Sequence, residues 1–209
     1  MYTNDFFSFD SPLAKSSIYA PPINLPGNSS NLAKGIFNDL DFPIIFKIKM
    51  GSKFNDLIDV TAPPLYLISE KFRNILIEYN LSGWKTFPII FLDKHDQKIR
   101  GYHGFSITGK CNFINNDNSE IIELQHAPNL PIDRHYKGIS VDGWDGSDFF
   151  CPKLSRHLFV SSKAADVIKK EKITNVSLCH AQDYTDCELS VQIRKEKQAA
   201  HKQSINLTD

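Results

Sequence analysis

The sequence has no excess of charge of either sign. Its 209 residues include 24 Lys and Arg against 24 Asp and Glu, so the formal net charge at pH 7 is zero. A nucleic-acid-binding domain usually carries a basic surplus, and an acidic mimic of nucleic acid carries the opposite surplus. The balance predicts that nucleic acid is not the partner. It also argues against a partner that is recognised mainly through a strongly basic active site.

Long apolar runs and closely spaced cysteines are missing too. No run reaches the roughly 18 apolar residues that a membrane-spanning helix needs, and the first residues lack the basic and apolar regions of a signal peptide. The four cysteines, Cys111, Cys151, Cys179 and Cys187, are far apart in the sequence. This spacing favours reduced thiols over a disulfide framework. We therefore expect a cytoplasmic protein without a membrane span.

The spacing of possible metal ligands does not fit a structural zinc site. The candidates are Cys151, His157, Cys179, His180 and Cys187. Zinc sites favour two close pairs, whereas Cys179 and His180 are adjacent and point to opposite sides of any strand. The sequence DGWDGSD at 142–148 lacks the acidic positions of a calcium-binding EF-hand, and no Gly-rich phosphate loop occurs. We expect neither a metal nor a cofactor.

The sequence does contain a clear strand–helix unit at residues 65–84, LYLISEKFRNILIEYNLSGW. The apolar residues 65–68 predict a buried strand, and Ser69 is placed to cap the helix that follows. Apolar residues then recur at helical spacing, at Phe72, Ile75, Leu76 and Tyr79. Asn80 is expected to end the helix in a left-handed turn.

The same pattern returns at residues 157–176, HLFVSSKAADVIKKEKITNV, without a gap. Ser161 follows Ser69 at a distance of 92 residues, and Asn175 matches Gly83, since Asn also tolerates a positive φ. Self-similarity at a fixed offset is typical of an internal repeat. We read both serines as helix caps. They do not have the small neighbouring residues of a catalytic nucleophile elbow.

The remaining chain predicts a single α+β domain with a mixed or antiparallel sheet and two repeated strand–helix units. Residues 1–35, rich in Ser, Asn and Pro, are expected to form an extended N-terminal arm anchored by aromatic side chains. Residues 36–193 form the domain, and residues 194–209 a C-terminal helix or tail. Two strands, 86–93 and 98–108, predict a hairpin, and residues 111–135 are loop-like around a short strand at 120–124.

Two groups of residues leave an enzyme open as an alternative. Tyr102 and His103 lie between two glycines, and Asp133 and His135 lie close together in a loop-like segment. Each group can supply a proton-transfer side chain. Half-exposed histidines and loop carboxylates are more often structural, so we assign no catalytic residue.

The motifs resemble a family of bacterial polymorphic-toxin immunity proteins of the myxobacterial type, formerly a domain of unknown function. The resemblance is carried by LYLISEKFRNILIEYNLSGWKTFPI, GYHGFSI and GWDGSDFFCPKLSRHLFVSSKAADVIKKEKITNV. It extends over about residues 40–180. The sequence departs from the family pattern at Asn175, where Gly is usual, and in the polar segment 111–135.

The resemblance implies a non-enzymatic cytoplasmic protein that binds and neutralises a cognate protein toxin. On turn position and aromatic character, we expect the partner-binding residues to be Trp84, Tyr102, His103, Trp144, Asp145 and Asp148. Tryptophans that cover the edge of a core are the alternative for Trp84 and Trp144. A general protein-interaction module and an enzyme acting on a nucleotide or another small substrate remain the alternative functions.

Overall fold

A computed structural model describes residues 5–12, 16–25, 29–38, 40, 42–60, 65–112, 114–115, 117–124, 129, 132–153 and 157–185. The elements in chain order are β1 (Phe6–Asp10), α1 (Ser29–Ala33), β2 (Ile44–Lys47), β3 (Leu57–Asp59), β4 (Leu65–Ser69), α2 (Glu70–Glu78), β5 (Trp84–Phe87), β6 (Ile89–Leu92), β7 (Lys98–Ile99), β8 (Tyr102–Ile107), β9 (Gly109–Cys111), β10 (Glu120–Leu124), β11 (Asp133–Lys137), β12 (Phe149–Pro152), β13 (Phe159–Ser161), α3 (Ser162–Lys170) and β14 (Ser177–His180). The predicted α+β fold with mixed and antiparallel sheets is confirmed.

Contacts divide the chain into two compact units. The larger comprises Met1–Phe113 and Val141–His180, and the smaller Ile114–Ser140 and Ala181–Asp209. No helix in the described part of the chain is long and apolar enough to span a bilayer. The predicted tail at 194–209 lies outside the described residues.

Both predicted strand–helix units are present, and both lie in the larger of the two compact units. In the first, β4 leads directly into α2, and in the second β13 leads into α3. The apolar faces of both helices pack into one core with residues of both sheets, because their buried side chains recur at helical spacing. Asn80 has a φ of 48° after α2, which confirms its left-handed turn, and Lys172 takes the same role after α3 with a φ of 51°.

Each unit belongs to its own sheet. The first sheet has the order β3-β4-β8-β5, with all neighbours antiparallel. The second has the order β14-β1-β13-β12-β9, in which only the β12–β9 pair is parallel. Strand β3 pairs with β4 at the edge of the first sheet, and its Leu57 and Ile58 are fully buried.

Strand β1 takes the place in the second sheet that β8 takes in the first. β8 lies between β4 and β5, and β1 lies between β13 and β14. The registers agree, since Tyr102 lies opposite Ser69 while Phe6 lies opposite the equivalent Ser161. The two strand–helix units therefore have equivalent strands around them, but the second unit takes its interior strand β1 from residues far earlier in the chain.

The described part of the predicted N-terminal arm thus contains an interior strand and the short helix α1. Phe9 on β1 is fully buried, as is its counterpart Phe105 on β8, and both rings pack edge-on against Phe149. For residues 6–10, the expectation of an extended arm is therefore wrong, because β1 is an interior strand of the second sheet. The alternation of FFSFD fits a strand, but its pairing partners lie more than 150 residues away.

The hairpin predicted from residues 86–93 and 98–108 is present, but each of its strands is divided in two. β6 pairs with β7, with Phe91 opposite Ile99, while β5 pairs with β8 in the first sheet. β2 lies parallel to β6. A second core lies between β2, β6 and β7 on one side and α1 and the other face of the first sheet. In the smaller unit, the predicted strand β10 pairs with β11. Strand β11 was not expected, because Asp, Arg and His at 133–135 give no local β signal.

Candidate functional site

A network of hydrogen bonds surrounds Asp56, which lies just before β3 of the first sheet. Its Oδ1 accepts a hydrogen bond from the Oγ of Ser69 at 2.7 Å. Its Oδ2 accepts bonds from the backbone N and the Oγ1 of Thr174, both at 2.9 Å, and lies 3.4 Å from the Nζ of Lys71. Ser69 in turn caps α2 by accepting from the backbone N of Phe72. One carboxylate therefore orients a helix cap of the first unit and a turn of the second.

Asp148 has the same contacts in the second sheet. Its Oδ1 accepts from the Oγ of Ser161 at 2.7 Å, and its Oδ2 accepts from the backbone N and Oγ of Ser82 at 2.8 and 3.0 Å. The Nζ of Lys163 lies 3.8 Å away. Ser161 caps α3 by accepting from the backbone N of Ala164. The two units are thus joined by reciprocal bonds, each aspartate reaching the turn after the other unit's helix.

The sequence pattern did not reveal this reciprocity: Asp148 was expected to bind a partner, and Asp56 was given no role. Asp56 and Asp148 are separated by the same 92 residues as the two capping serines, and so are Ser82 and Thr174. The repeated offset was the signal that could have found them.

Asn175 makes side-chain bonds that its counterpart Gly83 cannot make. Its Nδ2 donates to the backbone O of Leu57 and to the Oγ of Ser11, both at 2.9 Å, and its Oδ1 accepts from the Oγ of Ser17 at 3.1 Å.

The hydrogen bonds of Asp56 affect its titration. Partial burial alone raises the pKa of this carboxyl, but the bonds from Thr174 and Ser69 and the charge of Lys71 hold the pKa below its usual value of 3.8. The folded protein therefore binds this proton less readily than the unfolded chain. The resulting stabilisation is present above the unfolded pKa and disappears as pH falls through the lower folded pKa.

We expect the free energy of unfolding of the wild type to fall more steeply than that of Asp56→Asn between about pH 5 and pH 2. Urea unfolding at a series of pH values measures both slopes. Asp166→Asn, at an exposed position of α3, is the matched control and should leave the slope unchanged. Parallel curves for the wild type and Asp56→Asn would contradict the assignment.

The two tryptophans proposed to meet a partner have structural contacts. The Nε1 of Trp84 donates to the backbone O of Leu81 at 2.7 Å, and its ring packs against the first core. The Nε1 of Trp144 donates to the backbone O of Ser147 at 2.9 Å, while its ring contacts Phe6 with centroids 5.1 Å apart. Both side chains are half-buried and cover core edges.

The two aspartates proposed for the partner surface differ in exposure. Asp145 is exposed, but its Oδ2 accepts from the backbone N of Lys110 at 2.8 Å, and its Oδ1 accepts from the backbone N of Ser147 at 3.0 Å. Asp148 is only 7% exposed. Because both of its carboxylate oxygens bind within the protein, we do not retain Asp148 in a partner surface.

Tyr102 and His103 point to opposite faces of β8. The OH of Tyr102 donates to the backbone O of Asn55 at 2.9 Å, and burial raises its pKa to about 12. The Nε2 of His103 is buried without a hydrogen-bond partner. Burial and the charge of Arg73 lower the pKa of His103, although Glu70 opposes this. Burial and Arg73 thus both favour the neutral form of this imidazole.

The residues proposed for an enzyme lie in different compact units of the chain. His103 is on β8 of the larger unit, while Asp133 begins β11 of the smaller unit and His135 is buried on that strand. No group of three or more His, Cys, Asp or Glu side chains in the described ranges is arranged to hold a metal ion. Cys187 of the rejected zinc set lies outside those ranges.

No protein-family model and no curated protein matches this chain.

Proposed function

We propose that this protein is a cytoplasmic, non-enzymatic immunity protein that binds a cognate protein toxin and neutralises it. The observation that carries the proposal is the place of the family-like motifs in the fold. The stretches LYLISEK and LFVSSK form β4–α2 and β13–α3, and GWDGSDFF leads into β12. The residues that carry the resemblance therefore form the two strand–helix units of the scaffold and the segment that precedes β12.

Such a scaffold suits an inhibitor that acts by occupying a surface. Reciprocal bonds through Asp56 and Asp148 fix the two units against each other within the larger compact unit. A rigid surface loses little conformational entropy on binding, which favours tight association. In this proposal the scaffold positions surface loops and contributes no reacting group.

The function is tested by co-expressing the tagged protein with the product of the gene next to its own. We expect the neighbouring product alone to arrest growth, and the pair to grow and to co-purify in a fixed ratio. A catalytically inactivated toxin should still co-purify, because binding alone is required. Growth arrest that persists in the presence of the folded protein would overturn the proposal.

Glutamine at either histidine should leave protection unchanged. A binding protein needs no proton transfer, so His103→Gln and His135→Gln should each rescue growth as well as the wild type does. Survival under toxin expression measures the effect, and thermal unfolding confirms that each variant is folded.

The enzyme alternative predicts the opposite result. If a folded His103→Gln variant lost protection while still co-purifying with the toxin, the imidazole would have a chemical role. The non-enzymatic proposal would then be wrong, even though a toxin partner existed.

A further inference from the structure

The equivalence of the two units extends to the loops that precede β3 and β12. Residues 49–54, KMGSKF, align at the same offset with residues 141–146, VDGWDG. Gly51 and Gly143 occupy the same position with positive φ values of 80° and 60°. We call them the 49–54 loop and the 141–146 loop. They are matching parts of one scaffold.

The 49–54 loop is held firmly by the chain at 16–19. The backbone N of Tyr19 donates to the O of Met50 at 3.1 Å, and the N atoms of Ser52 and Lys53 donate to the O of Ser16 at 3.1 and 2.9 Å. A Cβ at Gly51 would collide with the backbone of Ser17. The loop is therefore fixed before any partner arrives.

The side chains of this fixed loop nevertheless face solvent. Met50 is 61% exposed and Phe54 is 52% exposed, whereas large apolar side chains gain from burial. The ring of Phe54 lies 6.4 Å from that of Tyr102, which is anchored to Asn55. Lys49 and Lys53, their neighbours in the sequence, are exposed as well. The loop thus exposes two large apolar side chains and two cations.

The matching loop has the opposite character. Asp142 and Asp145 are exposed there, while Trp144 turns inward and packs on Phe6 and Phe150. Two equivalent loops on one scaffold therefore differ in charge sign and in whether their large apolar side chains are exposed. The glycine with positive φ that both loops share does not require this difference.

We propose that the 49–54 loop is the docking surface for the toxin, and that it takes an apolar pocket bordered by carboxylates. This inference rests on the function proposed above. Met and aromatic side chains are enriched at the centres of interfaces, and Phe54 and Met50 are preorganised for that role. Lys49 and Lys53 complement an acidic rim, which accelerates association and excludes basic surfaces.

The test measures binding of full-length variants to the catalytically inactivated product of the neighbouring gene. Met50→Ser with Phe54→Ser should weaken the Kd on the order of 100-fold, because two anchors are lost. Lys49→Glu with Lys53→Glu should slow association roughly tenfold and reduce its dependence on salt.

Matched controls separate the loop from general surface effects. Ile23→Ser and Ile77→Ser change side chains that are 58% and 52% exposed at other sites, and should bind as the wild type does. Lys94→Glu with Lys98→Glu reverses two exposed charges near the β6–β7 hairpin and should leave the association rate unchanged. Unfolding curves verify that every variant is folded.

The outcomes distinguish this inference from the proposed function. Wild-type protection together with unaltered binding by both loop variants would overturn the docking surface alone. Failure of the wild type to bind or protect would overturn both proposals. A loop-dependent dimer of this protein without toxin binding would place a second copy on the loop and likewise overturn the inference.

Discussion

Replacing Asp148 with alanine is expected to lower the free energy of unfolding by about 3–5 kcal/mol. The buried carboxylate accepts bonds from Ser161 and from both the backbone and the hydroxyl of Ser82. Its removal leaves these donors without their acceptor and weakens the cap of α3 at the same time. Denaturant unfolding followed by far-UV circular dichroism measures the change.

Asp56→Ala should destabilise in the same way, since Asp56 has the equivalent contacts in the first sheet. Asp166→Ala supplies the control, because Asp166 is exposed on α3 and its loss should change stability by less than about 0.5 kcal/mol. If Asp148→Ala matched this control, the reciprocal bonds would not be a main link between the two units.

Phe9→Ala is expected to cost about 3–5 kcal/mol, although the residue lies near the beginning of the chain. Phe9 is fully buried against Tyr66 and Phe149, and removing its ring opens a cavity in the core that both units share. Because Phe105 is its counterpart on β8, Phe105→Ala should have a similar cost. Thermal and urea unfolding give the two values.

Phe54→Ala is the control for these core substitutions, since its ring is 52% exposed, and the expected change is within about 0.5 kcal/mol. A small effect of Phe9→Ala beside a large effect of Phe105→Ala would show that β1 is dispensable. The equivalence of β1 and β8 would then be one of shape only.

Local patterns were enough to predict the strand–helix units. The capping serines, the helical spacing of apolar residues and Asn80 each act within a few residues, so the sequence reveals them directly. The pairing of the hairpin was predicted for the same reason, but the division of its strands into β5 and β6 and into β7 and β8 was not. These elements account for the predicted α+β class.

The interior position of β1 could not be read from local signals. Whether FFSFD lies in the middle of a sheet depends on β13 and β14, and no turn chemistry links strands so far apart in sequence. The structural contacts of Asp148 were missed for a related reason, since its partners are Ser161 and Ser82 of different units. The structure shows that Phe54 is exposed and that Trp144 is half-buried, and residue type alone could not predict this difference.

The position of β1 also has a consequence during synthesis. β1 leaves the ribosome before the strands that flank it, and Leu178, which lies opposite Phe9, is made about 170 residues later. At 5–20 residues per second this delay is on the order of 10–30 s, during which an apolar strand has no native neighbour. The first sheet, in contrast, can complete its pairing once β8 has emerged. We therefore expect a chaperone to bind the nascent chain at β1 until β14 has been made and pairs with it.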